Sequence, residues 1–187
     1  FTNLSQDHLD YHIDMENYFQ TKMELFKSPY LIKKGSYSVI NADDKWGLKL
    51  LDNLDSNLLK ISIKNRNLEQ DNFFYATDIN FNKNGSYFVL HTPSNAVQFF
   101  IPLIGEFNIM NSMQAILVFY ELGYSLNEIS EKIKNFPGVP GRMEKIRIHS
   151  SQTEDKLPQV IIDYAHTPDG LKNVLQVIRQ FSKRKLI

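Results

Sequence analysis

Asp7, His8, Asp10 and His12 fall within six positions in a polar, turn-prone opening stretch. Lys22 follows inside an apolar stripe. Met15, Tyr18, Phe19, Met23 and Phe26 recur at helical spacing, and Lys22 lies among them at i+7. A buried ammonium is costly, so this lysine must snorkel, pair or change its chemistry; snorkelling is the ordinary outcome. Asn108 and Asn111 lie one turn apart at the start of a later helix, where free N–H groups favour anions. They could contact a nucleotide or simply cap the helix. Arg142 stands directly after a stiff connector. Asp163 and His166 sit where an apolar strand runs into a helix N-terminus, the place where α/β proteins put ligands.

The elements that would position these residues can be read in order. Asp14 caps the first helix. Tyr37–Ile40 reads as a short buried strand, and Asp43 or Asp44 caps a helix through Leu54 with Trp46, Leu50, Leu51 and Leu54 on its inner face. Leu58–Ile63 is a second strand, so this stretch is the strand–helix–strand unit of a parallel sheet. Phe73–Phe81, Tyr87–His91 and Val97–Ile101 are aromatic and β-branched and are separated by turn sequences, which predicts an antiparallel three-stranded meander with a small side core of its own. Gly105 opens a helix periodic in Phe107, Met110, Gln114, Ala115, Val118 and Leu122, closed by Gly123. Ser125 caps another, to about Asn135. Phe136-Pro137-Gly138-Val139-Pro140-Gly141 has the composition of a domain boundary. Beyond it come a strand over Met143–His149, a polar loop over Ser150–Lys156, a strand over Val160–Ile162, and a helix capped by Thr167 with Pro168 at its first position. In that helix Leu171, Val174, Leu175 and Ile178 are predicted to face inward, and Lys183-Arg184-Lys185 to favour its C-terminal end.

Composition narrows the function classes. Lys plus Arg and Asp plus Glu each number 21, which leaves none of the basic surplus that nucleic-acid binding needs. Without cysteine there are no disulfides, iron–sulfur clusters or thiolate zinc sites. No apolar run approaches the ~18 residues of a membrane span, and no signal-peptide pattern opens the chain, so a soluble cytoplasmic protein without a membrane partner is expected. A start at Phe1 and a strand-like end at Lys185-Leu186-Ile187 suggest a piece of a longer protein.

Five segments together resemble the Mur ligases, MurE type. They are Phe1–His12 with Lys22, Val-Ile-Asn-Ala-Asp-Asp at 39–44, Gly-x-Phe-Asn-x-x-Asn at 105–111, Pro-Gly-Arg-Met-Glu at 140–144, and Ile-Asp-Tyr-Ala-His-Thr-Pro-Asp at 162–169. They occur in the family's order and span the chain. The resemblance implies an α/β protein: residues 1–138 as the C-terminal part of the central ATP-binding domain, mainly parallel sheet with helices plus a small antiparallel sheet, and residues 139–187 as the start of a Rossmann-like C-terminal domain. It implies a cytoplasmic ligase, expected to be a monomer, that uses ATP and Mg²⁺ to add the third amino acid to UDP-N-acetylmuramoyl-L-alanyl-D-glutamate in peptidoglycan synthesis. That amino acid is meso-diaminopimelate or L-lysine, because the motif that selects it is absent. The phosphate loop and the UDP-sugar contacts are absent too, so this piece alone is expected to be inactive.

In that family the lysine matching Lys22 is carbamylated by CO₂ and binds magnesium, and the histidine matching His8 is a ligand of the same ion. Asp7 stays open as a neighbour supporting that site, and His12 as a residue closing the helix start. Asn108 and Asn111 match residues near the nucleotide. Arg142 and Asp163 match positions that reach the ATP phosphates and ribose, with His166 nearby; for Arg142 a surface ion pair is the plain alternative. Two other functions remain open: another amide ligase of the superfamily, of folylpolyglutamate or cyanophycin type, and a MurE-like scaffolding protein without activity. The presence of Lys22 and His8 speaks against the second.

Overall fold

The computed structural model describes residues 1–27, 36–54, 57–64, 72–82, 84–146, 159–182 and 186–187. Helix α1 spans Met15–Lys27 and begins as its sequence dictates, with the Asp14 carboxylate accepting the Asn17 N–H at 2.8 Å. Strand β1 (Ser38–Asn41), helix α2 (Lys45–Leu51) and strand β2 (Leu58–Ser62) form the expected unit, and β1 pairs parallel to β2. Asp44 is the residue that caps α2, accepting from Trp46 and Gly47, whereas Asp43 accepts from Ser62 Oγ and the Ile63 N–H and ties α2 to the end of β2. Alternate residues separate the faces. Val39, Leu59 and Ile61 pack into the main core, while Ile40 and Leu58 join Leu4, Phe19, Met23 and Leu50 in a second cluster under α1 and α2.

Strands β3 (Phe73–Asn82), β4 (Gly85–His91) and β5 (Ala96–Ile101) form the meander, but it is not a separate sheet with its own core. The first residues of β3 pair parallel to β2, giving one five-stranded sheet in the order β1-β2-β3-β4-β5. The burial pattern of β3 gives the reason. Its first four residues are buried on both sides, as a central strand must be, and the rest alternate as an antiparallel ribbon does. Phe74, Phe88 and Phe99 therefore belong to the main core with Leu59, Ile61, Ile109 and Met113.

Helix α3 (Glu106–Glu121) ends at Gly123, φ 95°, in a Schellman arrangement: the Gly123 N–H donates to Tyr120 O and the Tyr124 N–H to Phe119 O. Its buried face differs from the predicted one. Ile109, Met113, Ile116 and Leu117 face the sheet, while Val118 and Leu122 are exposed. The helix is apolar on most sides, so periodicity offered two stripes; of the predicted one Met110 is buried in the main core, while Phe107 and Ala115 line a cleft described below. Helix α4 (Leu126–Ile133) starts with the reciprocal Ser125–Glu128 capping box.

After the connector, β6 (Glu144–Lys145) pairs antiparallel with β7 (Ile161–Ile162), and α5 (Pro168–Phe181) follows with Thr167 Oγ1 accepting the Gly170 N–H. The strand expected over Met143–His149 is described only through Ile146, and the loop over 150–156 and the basic run 183–185 lie outside the described residues. The inward face of α5 is also corrected. Val177 is its buried residue, whereas Leu171 and Leu175 are 48% and 50% exposed. Val174 and Ile178, also predicted to face inward, are half-buried. Val177 packs where Gly105 opens α3; a Cβ there would come within 2.9 Å of Val177 Cγ2.

No described helix is long and apolar enough to cross a membrane.

Candidate active site

The expected site residues gather in two places. The first is a cleft of about 1260 Å³ between the α3–α4 pair and the segment from the connector to α5. Asn108, Asn111, Arg142 and Asp163 all line it, the first two from α3 and the last two from beyond the connector. The outer stripe of α3, including Phe107, Ala115 and Phe119, gives it an apolar wall. His166 is not in its lining.

Each side chain has an identifiable support. Gly105 precedes α3 at φ 108° and ψ 148°, a conformation essentially restricted to glycine, and so aims the first turn of the helix at the cleft. Asn108 is 7% exposed and its amide nitrogen donates to Ile104 O at 2.8 Å. That is a first-turn hydrogen bond rather than a cap, since no side chain caps this helix start, and it leaves Oδ1 without a hydrogen bond among the described residues. Asn111, one turn on, is exposed. Arg142 takes part in no ion pair among the described residues; its guanidinium carbon lies 4.9 Å from the centre of the Tyr164 ring. Among the described residues, then, the surface ion pair is not what this arginine makes. Its backbone is pinned instead. Asp163 accepts the Met143 N–H at 2.8 Å with one oxygen and the Ala165 N–H at 2.7 Å with the other, clamping the arginine's loop to the end of β7. Each oxygen keeps a further acceptor position.

The second place surrounds Tyr18 on α1. Lys22 Nζ lies 5.0 Å from the centre of its ring, His12 stacks on it at 4.5 Å and 16°, and His8 meets it at 6.0 Å, nearly perpendicular. Lys22 is half-buried, and its head lies over this aromatic face. His12 is buried, and its Nδ1 faces Asn17 Oδ1 at 3.3 Å, so it does close the helix start. His8 adopts φ 54°, a left-handed conformation uncommon for a side-chain-bearing residue. Asp7 supports it: one oxygen accepts the His8 N–H at 2.9 Å and the other lies 3.6 Å from His8 Nε2.

Asp7 also links the two places. The oxygen facing His8 lies 3.6 Å from His166 Nε2, while His166 Nδ1 donates to Tyr164 O at 2.9 Å. So His166, expected at the nucleotide, lies outside the cleft lining and sets its Nε2 near the opening segment's Asp7, beside the turn that carries Asp163. Sequence reasoning missed this approach, and also Tyr18, whose place four residues before Lys22 on a helix was a usable signal. It missed Asn3 and Ser5 in the cleft lining as well. They are held there because Asn41 binds the opening segment, its backbone N–H donating to Phe1 O and its Nδ2 to Thr2 O.

The Mur ligase middle domain family matches residues 1–119. The UDP-N-acetylmuramoyl-L-alanyl-D-glutamate–2,6-diaminopimelate ligase of Prochlorococcus marinus subsp. pastoris is 53% identical over 189 aligned residues, covering 100% of this chain and 37% of its own length. The ligase of the same name from Nostoc sp. is 40% identical, with 100% and 36% covered. A solved structure of a ligase of that name superposes with a TM-score of 0.73 at 30% identity, over 98% of this chain and 36% of that one. The chain thus spans little more than a third of the relatives it matches. The chain belongs to the Mur ligase family.

Proposed function

We propose that this chain is part of an ATP-dependent ligase of the MurE type, which joins diaminopimelate to UDP-N-acetylmuramoyl-L-alanyl-D-glutamate in the cytoplasm. The observation that carries the reading is the convergence of Asn108, Asn111, Arg142 and Asp163 on one cleft from two separate parts of the chain. The choice of diaminopimelate over L-lysine is supported by the names of the relatives. Residues 1–138 form the end of the central ATP-binding domain and residues 139–187 begin the C-terminal domain.

The reaction has two steps. The substrate carboxylate attacks the γ-phosphorus of ATP, forming an acyl phosphate and releasing ADP; the amine of the incoming amino acid then attacks the acyl carbon, forming the amide and releasing phosphate. Most of the work is positioning and charge neutralisation. Asn108 and Asn111 hold the nucleotide at the start of α3. Arg142 places its guanidinium on the phosphates as the connector lets the two parts close. Asp163 sets the position of Arg142 and offers its remaining acceptor sites to the ribose.

Magnesium fits the second group of residues in a limited way. No group of three or more His, Cys, Asp or Glu side chains among the described residues could hold a metal. His8 and Lys22 nevertheless border one ring. If the neutral Lys22 amine adds to CO₂ and loses a proton, the resulting carbamate is an oxygen ligand, and His8 completes this chain's share. The bound ion supplies positive charge against the phosphates. His8 and Lys22 would hold it, with Asp7 fixing the His8 ring.

The test is a coupled assay of the full-length protein with ATP, Mg²⁺, UDP-N-acetylmuramoyl-L-alanyl-D-glutamate and either meso-diaminopimelate or L-lysine. Phosphate release dependent on both the UDP-dipeptide and diaminopimelate is expected. Turnover with a folate or aspartyl substrate instead would move the protein to another branch of the family.

A further inference from the structure

We propose that Tyr18 is a positioning residue whose ring holds Lys22 and His8 in one arrangement before any ligand arrives. The inference rests on the ligase reading above and adds a residue which that reading leaves without a role. Three contacts meet on one side chain: Lys22 Nζ at 5.0 Å from the ring centre, the His8 ring edge-on at 6.0 Å and 89°, and the His12 ring stacked at 4.5 Å and 16°. His8 and Lys22 are fourteen residues apart, one in a turn at φ 54° and the other on a helix, yet both border this ring.

The ring is held in place. Tyr18 packs against the cluster of Leu4, Phe19 and Met23, and its stacking partner His12 is 7% exposed and set by Asn17. Lys22 follows Tyr18 at i+4 on α1, so its stem runs across the aromatic face. A free lysine stem has many rotamers, and a surface that limits them lowers the entropy lost when its head is fixed at a metal. The phenol hydroxyl makes no hydrogen bond among the described residues, which assigns the effect to the ring alone.

The full-length protein provides the test, with Tyr18→Leu and Tyr18→Phe compared by circular dichroism and then titrated with Mn²⁺, followed by electron paramagnetic resonance, in the presence of a non-hydrolysable ATP analogue. Partners that orient metal ligands typically change affinity about 10- to 100-fold when removed. Tyr18→Leu is expected to weaken Mn²⁺ binding on that scale and to diminish the carbamate carbon signal in samples equilibrated with ¹³C-bicarbonate. Tyr18→Phe should match wild type in both. If Tyr18→Leu does not fold, Tyr18→Met, whose flexible thioether fills the same core contact, takes its place. Wild-type Mn²⁺ affinity in the aliphatic variant, or an equal loss in Tyr18→Phe, overturns the proposal. Lys22→Arg separates the two levels: if it binds Mn²⁺ and turns over normally, the parent reading of Lys22 fails, whereas an inactive Lys22→Arg beside a normal Tyr18→Leu refutes only the role of Tyr18.

Discussion

Replacing Arg142 with alanine should impair catalysis far more than folding. The structure lets the two costs be compared. Arg142 is exposed, joins no ion pair among the described residues, and touches the Tyr164 ring at 4.9 Å. A cation–π contact at an exposed site contributes about 0.5–1 kcal/mol, which is the most that Arg142→Ala should take from stability. The loop itself stays anchored, because the Asp163–Met143 and Glu144–Gly141 bonds are made by backbone N–H groups that the substitution leaves in place. Against this, removing one preorganised donor from a developing anionic charge costs about 10²–10³-fold in turnover, or roughly 2.7–4 kcal/mol. Arg142→Lys should recover only part of the loss, since an ammonium keeps the charge but not the planar fork. The assay is steady-state phosphate release by the full-length enzyme, paired with thermal unfolding. Normal turnover at normal stability would refute the reasoning and leave Arg142 as a surface residue stacked on a tyrosine. So would a loss of turnover that merely follows a loss of folded protein.

The isolated 187-residue chain should show no ATPase or ligase turnover even when folded, and measurable activity would contradict its assignment as a partial enzyme. Gly105→Ala should destabilise the full-length protein by about 1–3 kcal/mol from backbone conformation alone, with more from the 2.9 Å approach to Val177, and should weaken nucleotide binding; chemical denaturation and a fluorescent ATP analogue report the two effects. The carboxyl of Glu128 is held below its ordinary value of 4.5 by hydrogen bonds from the Ser125 side chain and then its backbone N–H. Because the folded value is depressed, the stabilisation from this capping box is present above pH 4.5 and is lost as pH falls through the lower folded value. The difference in melting temperature between wild type and Glu128→Ala should therefore narrow on acidification; a difference that widens would show that the cap is not the titrating element.

The elements were legible where one pattern dominated. Asp14, Ser125 and Thr167 marked helix starts that the structure realises, and the turn sequences between β3, β4 and β5 fixed the meander. What failed were choices that need the partner surface. Helix α3 is apolar on two sides, and only the sheet decides which is buried. The stripe of α5 was visible, but its burial depends on what stands beside it, and there Val177 meets Gly105 while Leu171 and Leu175 stay exposed. That β3 continues the parallel pair is a long-range pairing with no local signature. The site shows the same division. Residue types in short motifs pointed to Asn108, Asn111, Arg142 and Asp163, which share one cleft. The approach of Asp7 to His166, about 160 positions apart, arises only from tertiary placement.

Lys22→Arg in the full-length enzyme, assayed with and without short carboxylic acids, tests the account most directly. Only a neutral amine can add CO₂, and a lysine in water is overwhelmingly the ammonium at neutral pH. Magnesium, favouring an anion, would draw that minor form into the carbamate. Arginine keeps the positive charge but cannot be converted, so the account predicts a Lys22→Arg enzyme that is inactive with or without the acids. Near-normal activity without any additive would show that Lys22 is a helix residue whose ammonium merely rests on Tyr18.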